Sequence, residues 1–144
     1  MSATVLACVA LMMAGFPGPQ PVSPTAPRLA LSYEFFKTDV QPIFLKKRPG
    51  HARCIACHGQ TTTPLDLQPL SPGRTTWTDE ESRKNFDAIR RVVIPGSPKS
   101  RLLVHPLEEK AGGDFFHGGG KHFASQDDPE WRTLKAWVLG QTAQ

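Results

Sequence analysis

Between residues 54 and 58 the chain reads Cys54-Ile55-Ala56-Cys57-His58, and no other stretch brings two thiols and an imidazole together. At this spacing two thiols reach the two vinyl groups on one edge of a porphyrin and form thioethers. The adjacent histidine then turns its ring under the iron. Such an attachment constrains the fold strongly: a flat apolar cofactor becomes the centre of the core, and short elements wrap it. Fourteen prolines and twelve glycines in 144 residues fit that picture, because they keep regular elements short. Other uses of the same residues are weaker. A redox dithiol calls for a βαβ setting that the pattern lacks. A Cys54–Cys57 disulfide would leave His58 without a role. Zinc on Cys54, Cys57, His117 and His122 stands as the remaining alternative. It requires 60 positions between Cys57 and His117, far from zinc-finger spacing.

The first 27 residues stand apart from the fold. They carry no charged side chain, and Val5 to Phe16 is an apolar run of twelve. That run is too short to span a bilayer, which takes about 20 residues, and fits the apolar core of a secretory signal. Seven of the thirteen residues from Gly15 to Pro27 are Gly or Pro, a stiff tether. Residues 1–27 therefore read as signal and tether, and 28–144 as a single domain. The expected location is exported, periplasmic or otherwise outside the cytoplasm, with membrane association only through an N-terminal anchor or lipidation at Cys8. The formal net charge of +4 comes from interspersed cations and acids, so no nucleic-acid-binding stripe is present. A hydrophobic content of 39% excludes both a polytopic membrane protein and a fully disordered chain.

Within the domain the apolar periodicity is helical. Phe36, Val40, Ile43 and Phe44 share one face of a helix over Tyr33 to Lys47, kinked or restarted at Pro42. Residues 59–76 form a loop from which Leu65 and Leu67 tuck inward. Thr78-Asp79-Glu80-Glu81 is a capping box opening a helix with Phe86, Ile89 and Val93 as its stripe. Ser97-Pro98 predicts another start, with Leu102, Leu103 and Val104 apolar. A glycine-rich loop follows, and Asp128-Pro129 opens a final helix whose Trp131, Leu134, Trp137 and Val138 face inward until Gly140. No β alternation is convincing, so the predicted class is all-α with long loops.

Phe36-x-x-x-Val40-x-Pro42-Ile43-Phe44 followed by Cys54-Ile55-Ala56-Cys57-His58-Gly59 resembles the opening of a cytochrome c domain, and Thr133 to Val138 resembles its final helix. More narrowly, three stretches are similar to the planctomycete-type cytochrome c domains. They are Pro95-Gly96-x-Pro98-x-Ser100-x-Leu102-Leu103, His117-Gly118-Gly119-Gly120 and Asp128-Pro129-Glu130-Trp131. The resemblance spans Phe35 to Gly140. It implies a small helical domain with one covalent haem c on Cys54 and Cys57 and His58 as proximal iron ligand. The implied role is single-electron transfer between redox protein partners, alone or as the haem subunit of a larger oxidoreductase or respiratory complex.

The sequence departs from ordinary members of that family at the sixth ligand. All three methionines lie within the first thirteen residues, so a methionine cannot serve in the mature domain. His51 precedes Cys54 by three residues and belongs to the attachment side. His117 opens the glycine run before the last helix, where the distal ligand of the family lies, and is the preferred candidate. His105 and His122 are the alternatives. A five-coordinate iron would instead imply ligand sensing or peroxide chemistry. No carboxylate pair, nucleophile–base couple or phosphate loop is visible, so the chain is not expected to be an enzyme on its own. Lys46, Lys47, Arg48 and Arg53 cluster near the attachment site, as a solvated face or as a docking patch.

Overall fold

A computed structural model of the chain describes residues 29–60 and 63–141. The expected signal, tether and Cys8 lie outside the described residues. The described residues are helical and contain no strand; Leu107 and Phe123 form one isolated parallel bridge. No helix among them is long and apolar enough to cross a membrane.

The first helical stretch changes its winding twice. It runs as α1 (Tyr33–Phe35), a π turn (Phe36–Val40) and a 3-10 turn (Gln41–Leu45). Pro42 explains the change, because it has no N–H for the carbonyl of Thr38 and so breaks the α ladder. The stretch ends at Leu45, two residues before the Lys47 expected from the sequence. Its apolar face is buried completely at Phe36 and Val40 and nearly so at Phe44. Burying side chains of that size stabilises the fold by about 1.5–3 kcal/mol each.

The Cys54-Ile55-Ala56-Cys57-His58 sequence forms the short helix α2 (Cys54–His58), and the next is α3 (Asp79–Ile89). The capping box is formed as expected: Glu81 N–H donates to Thr78 Oγ1 at 3.2 Å, and Thr78 N–H donates to Glu81 Oε2 at 2.7 Å. The inner face of α3 carries buried Ser82 and Asn85 as well as Ala88 and Ile89. Gln41 Nε2 donates to Ser82 Oγ at 3.0 Å, Asn85 Nδ2 donates to Gln41 Oε1 at 3.2 Å, and Gln68 N–H donates to Asn85 Oδ1 at 2.6 Å. This polar junction locks the first helical stretch, α3 and the loop after α2 to one another. Leu65 and Leu67 tuck in from that loop as expected.

Helix α4 (Arg101–Val104) begins after Ser100, not at Ser97-Pro98. Pro98 and Lys99 sit in a tight turn closed by Ser100 N–H on the Ser97 carbonyl. Helix α5 (Pro129–Val138) starts where expected: the Asp128 carboxylate accepts from the N–H groups of Glu130 and Trp131. Its two tryptophans tie the fold across α5. Trp131 Nε1 donates to Leu103 O at 3.0 Å, and Trp137 Nε1 donates to Ser32 O at 2.8 Å. Trp137, fully buried, packs on Phe36 and Phe86 with centroids 5.6 and 6.2 Å away.

Candidate cofactor site

A cavity of about 360 Å³ opens between α2, the loop after it, α4 and the 117–123 segment. That volume lies in the range of pockets that hold small molecules and cofactors. Cys54, Cys57, His58, His105, His117 and His122, all the site residues singled out from the sequence, line it. Its other walls are mostly apolar, from Ile43 and Phe44 to Leu102 and Leu134.

Cys54 and Cys57 are free thiols, Cys57 exposed and Cys54 half-buried. Burial pushes the Cys54 thiol up to about 11. A thiol that stays protonated at neutral pH lacks the thiolate character of a redox dithiol. His58, at the end of α2, lies with Nδ1 2.9 Å from both Leu65 O and Thr63 Oγ1. A carbonyl can only accept, so Nδ1 carries the proton and Nε2 keeps its lone pair. His117 is arranged the same way: its Nδ1 donates to Gly120 O at 2.5 Å, which leaves its Nε2 lone pair as well. Burial first, then the neighbouring His105, His58 and Lys121, hold the His117 imidazole below its usual range, so it is neutral at pH 7. The two rings stand 6.3 Å apart between centroids, with 16° between their planes.

The alternatives to His117 are engaged differently. His105 Nδ1 meets Asp114 Oδ2 at 2.8 Å, and its Nε2 faces Arg101 Nη2 at 3.4 Å, so neither nitrogen has a spare lone pair. The His122 ring is buried against His51, with centroids 4.9 Å apart, and burial together with His51 pushes its pKa down to about 4. This pairing brings His51, three residues before Cys54, against the 117–123 segment, a reach not expected from its position. No group of three or more His, Cys, Asp or Glu among the described residues is placed to hold a metal ion. The zinc arrangement of Cys54, Cys57, His117 and His122 is therefore not assembled.

In the basic cluster before Cys54, Lys46, Lys47 and Arg53 are exposed and Arg48 is partly buried. Arg48 reaches Asp128 at 3.0 Å, also pairs with Glu130, and donates to His122 O at 3.2 Å. Its guanidinium lies 4.5 Å from the centroid of the Phe123 ring. Lys46 pairs with Glu130, and Lys47 donates to His51 O at 2.6 Å. Arg48 bridges the loop before α2, the 117–123 segment and α5; exposed Arg53 lies at the cavity rim. Sequence reasoning missed the Asp114–His105–Arg101 line and the roles of Arg48. Their partners lie between four and 82 residues away across loops, and no local pattern announces them. Compared with known proteins, the chain matches no family model, no curated protein and no solved structure.

Proposed function

We propose that this chain is an exported single-haem c-type electron-transfer protein. In this reading haem c is attached through Cys54 and Cys57, with His58 as proximal and His117 as distal iron ligand. The observation that carries it is the pair of facing imidazoles. Each has its Nδ1 proton fixed on a backbone carbonyl, the usual support of a metal-bound histidine. The rings of His58 and His117 line one cavity with centroids 6.3 Å apart, and together they would hold the iron. The two thiols line the same cavity.

The bound group would supply a one-electron couple at the iron. The chain's own work is to keep both imidazoles correctly oriented, to keep water from most of the ring through the apolar walls, and to leave the Cys57 edge exposed. Imidazole favours the ferric state more than a thioether does, so the potential should lie below that of methionine-ligated cytochromes.

A second reading, haem subunit of a larger complex, draws on Phe115 and Phe116, which are 85% and 68% exposed beside His117. Adjacent exposed aromatic rings of this kind mark interaction surfaces. A stoichiometric partner retained through purification would favour it.

The test is expression with cytochrome c maturation machinery. Haem should stay on the chain through denaturing electrophoresis and acid–organic extraction, and the oxidised spectrum should be low-spin without a methionine charge-transfer band. Cys57→Ala should leave at most one thioether. His117→Ala should turn the iron high-spin and admit carbon monoxide, whereas His105→Ala and His122→Ala should leave it low-spin. Freely extracted haem, or protein with no Soret band, ends the reading.

A further inference from the structure

Two histidines that line the cavity are left without a role as ligands, His105 and His122. Both stand nearly perpendicular to the ring of His117. The His105 and His117 centroids are 4.9 Å apart with 67° between the planes, and those of His122 and His117 are 5.8 Å apart with 65°. Edge-to-face contact at such separations is a favoured arrangement of aromatic rings.

His117 needs this support more than His58 does. His58 Nδ1 meets two oxygens, Leu65 O and Thr63 Oγ1, and Leu67 N–H on His58 O at 2.7 Å ties that segment back. His117 Nδ1 meets the carbonyl of Gly120, three residues on, in a turn that also holds Gly118 and Gly119. That bond fixes the ring only as firmly as the turn itself is fixed. The anchored parts of the loop are its feet: Asp114 N–H donates to Val104 O and His122 N–H donates to Pro106 O, each at 2.8 Å. His105 is the residue between those two acceptors, and His122 is itself a foot. Both perpendicular rings are thus rooted in pinned backbone, while His117 stands in the middle of the loop. Each is backed in turn. Asp114 Oδ2 lies 2.8 Å from His105 Nδ1, and the His51 ring packs on His122 at 4.9 Å between centroids.

We propose that His105 and His122 are positioning residues that set the plane of the His117 ring and hold it at 16° to the plane of His58. This rests on the haem reading above, in which His58 and His117 are the two axial ligands. Rotation of His117 about its Cβ–Cγ bond would disturb both edge-to-face contacts, and close-packed neighbours resist such a turn.

The experiment is electron paramagnetic resonance of the oxidised, haem-loaded full chain. The low-spin signal of two axial imidazoles reports the angle between their planes: rhombic when near parallel, strongly anisotropic when crossed. The unmodified protein should give the rhombic signal. His105→Ala and His122→Ala should stay low-spin but shift the signal toward the crossed type. His105→Phe and His122→Phe restore a ring without its nitrogens and should bring the rhombic signal back. Asp114→Ala should shift the signal in the same direction as His105→Ala. In the reduced, diamagnetic protein, proton nuclear magnetic resonance should show contacts from the His117 ring to those of His105 and His122. Four results overturn the proposal: a crossed-type signal from the unmodified protein, no such ring contacts, an unchanged signal in both alanine variants, or phenylalanine variants shifted as far as the alanine ones. Absence of covalent haem, or a low-spin iron in His117→Ala, would strike the proposed function itself and is read separately by haem staining and the visible spectrum.

Discussion

Replacing Arg48 by leucine should destabilise the fold without changing the facing histidines. The arginine side chain is 18% exposed, and its partners Asp128 and Glu130 are 22% and 17% exposed. An exposed ion pair contributes about 0–1 kcal/mol, while removing one partner of a fully buried pair costs about 3–5 kcal/mol. At this partial burial the loss falls between, at about 2 kcal/mol. The contact with Phe123 adds about 0.5–1 kcal/mol, partly offset by the aliphatic replacement. Two carboxylates would remain at the start of α5 with only Lys46, whose side chain is 64% exposed, to neutralise them. In a domain of this size about 2.5 kcal/mol lowers Tm by about 10 °C. The assay is thermal unfolding at pH 7 followed by far-ultraviolet circular dichroism. Arg48→Lys should recover only part of the loss, because a lysine cannot present the two-pronged guanidinium. A shift below about 2 °C for Arg48→Leu, together with slower and less salt-sensitive electron transfer to a partner, would refute the bridge and restore Arg48 to a docking patch.

Acid should act through the same cluster. Burial opposes ionisation of Asp128, but Arg48 and the N–H groups of Trp131 and Glu130 outweigh it and hold its carboxyl below the ordinary 3.8. Its contribution to stability is therefore complete above about pH 4 and is lost as pH falls through the lower folded-state value; Asp128→Asn should flatten the acid limb of a stability–pH curve. At the polar junction, Asn85→Ala should cost about 2–3 kcal/mol by urea denaturation. It strands the part-buried Gln68 N–H and the buried side-chain amide oxygen of Gln41 that Asn85 now satisfies, and a cost under about 1 kcal/mol would mean that the junction does not hold α3 in place.

Local chemistry made much of this legible beforehand. The Thr78–Glu81 box, the Asp128-Pro129 start and the break at Pro42 each depend on residues within one or two turns, and each stands where expected. The Ser97-Pro98 start failed because Ser100, whose hydroxyl accepts from Ile94 N–H at 3.0 Å, lies in a turn that delays the helix. The stripe read on α3 was apolar, yet Ser82 and Asn85 are as buried as Ile89, because Gln41 and Gln68 come from other segments to satisfy them. At the site, the engagement of His105 by Asp114 was not legible, since Asp114 lies nine residues away across a turn.

The aromatic hub around Trp137 is built without the cavity. Phe36, Phe86 and Ser32 meet Trp137, while the cavity wall takes only Leu134 from α5. Half of the molecule can thus assemble before anything fills the other half. A newly made chain would hold its first helical stretch against α5 and α3 while the thiol of Cys57 is still open to solvent. If haem is attached as proposed, assembly would then run from scaffold to attachment to closure of the His117 loop. Amide hydrogen exchange on a Cys54→Ala/Cys57→Ala chain would show it as slow exchange near Trp137 beside fast exchange from 114 to 122.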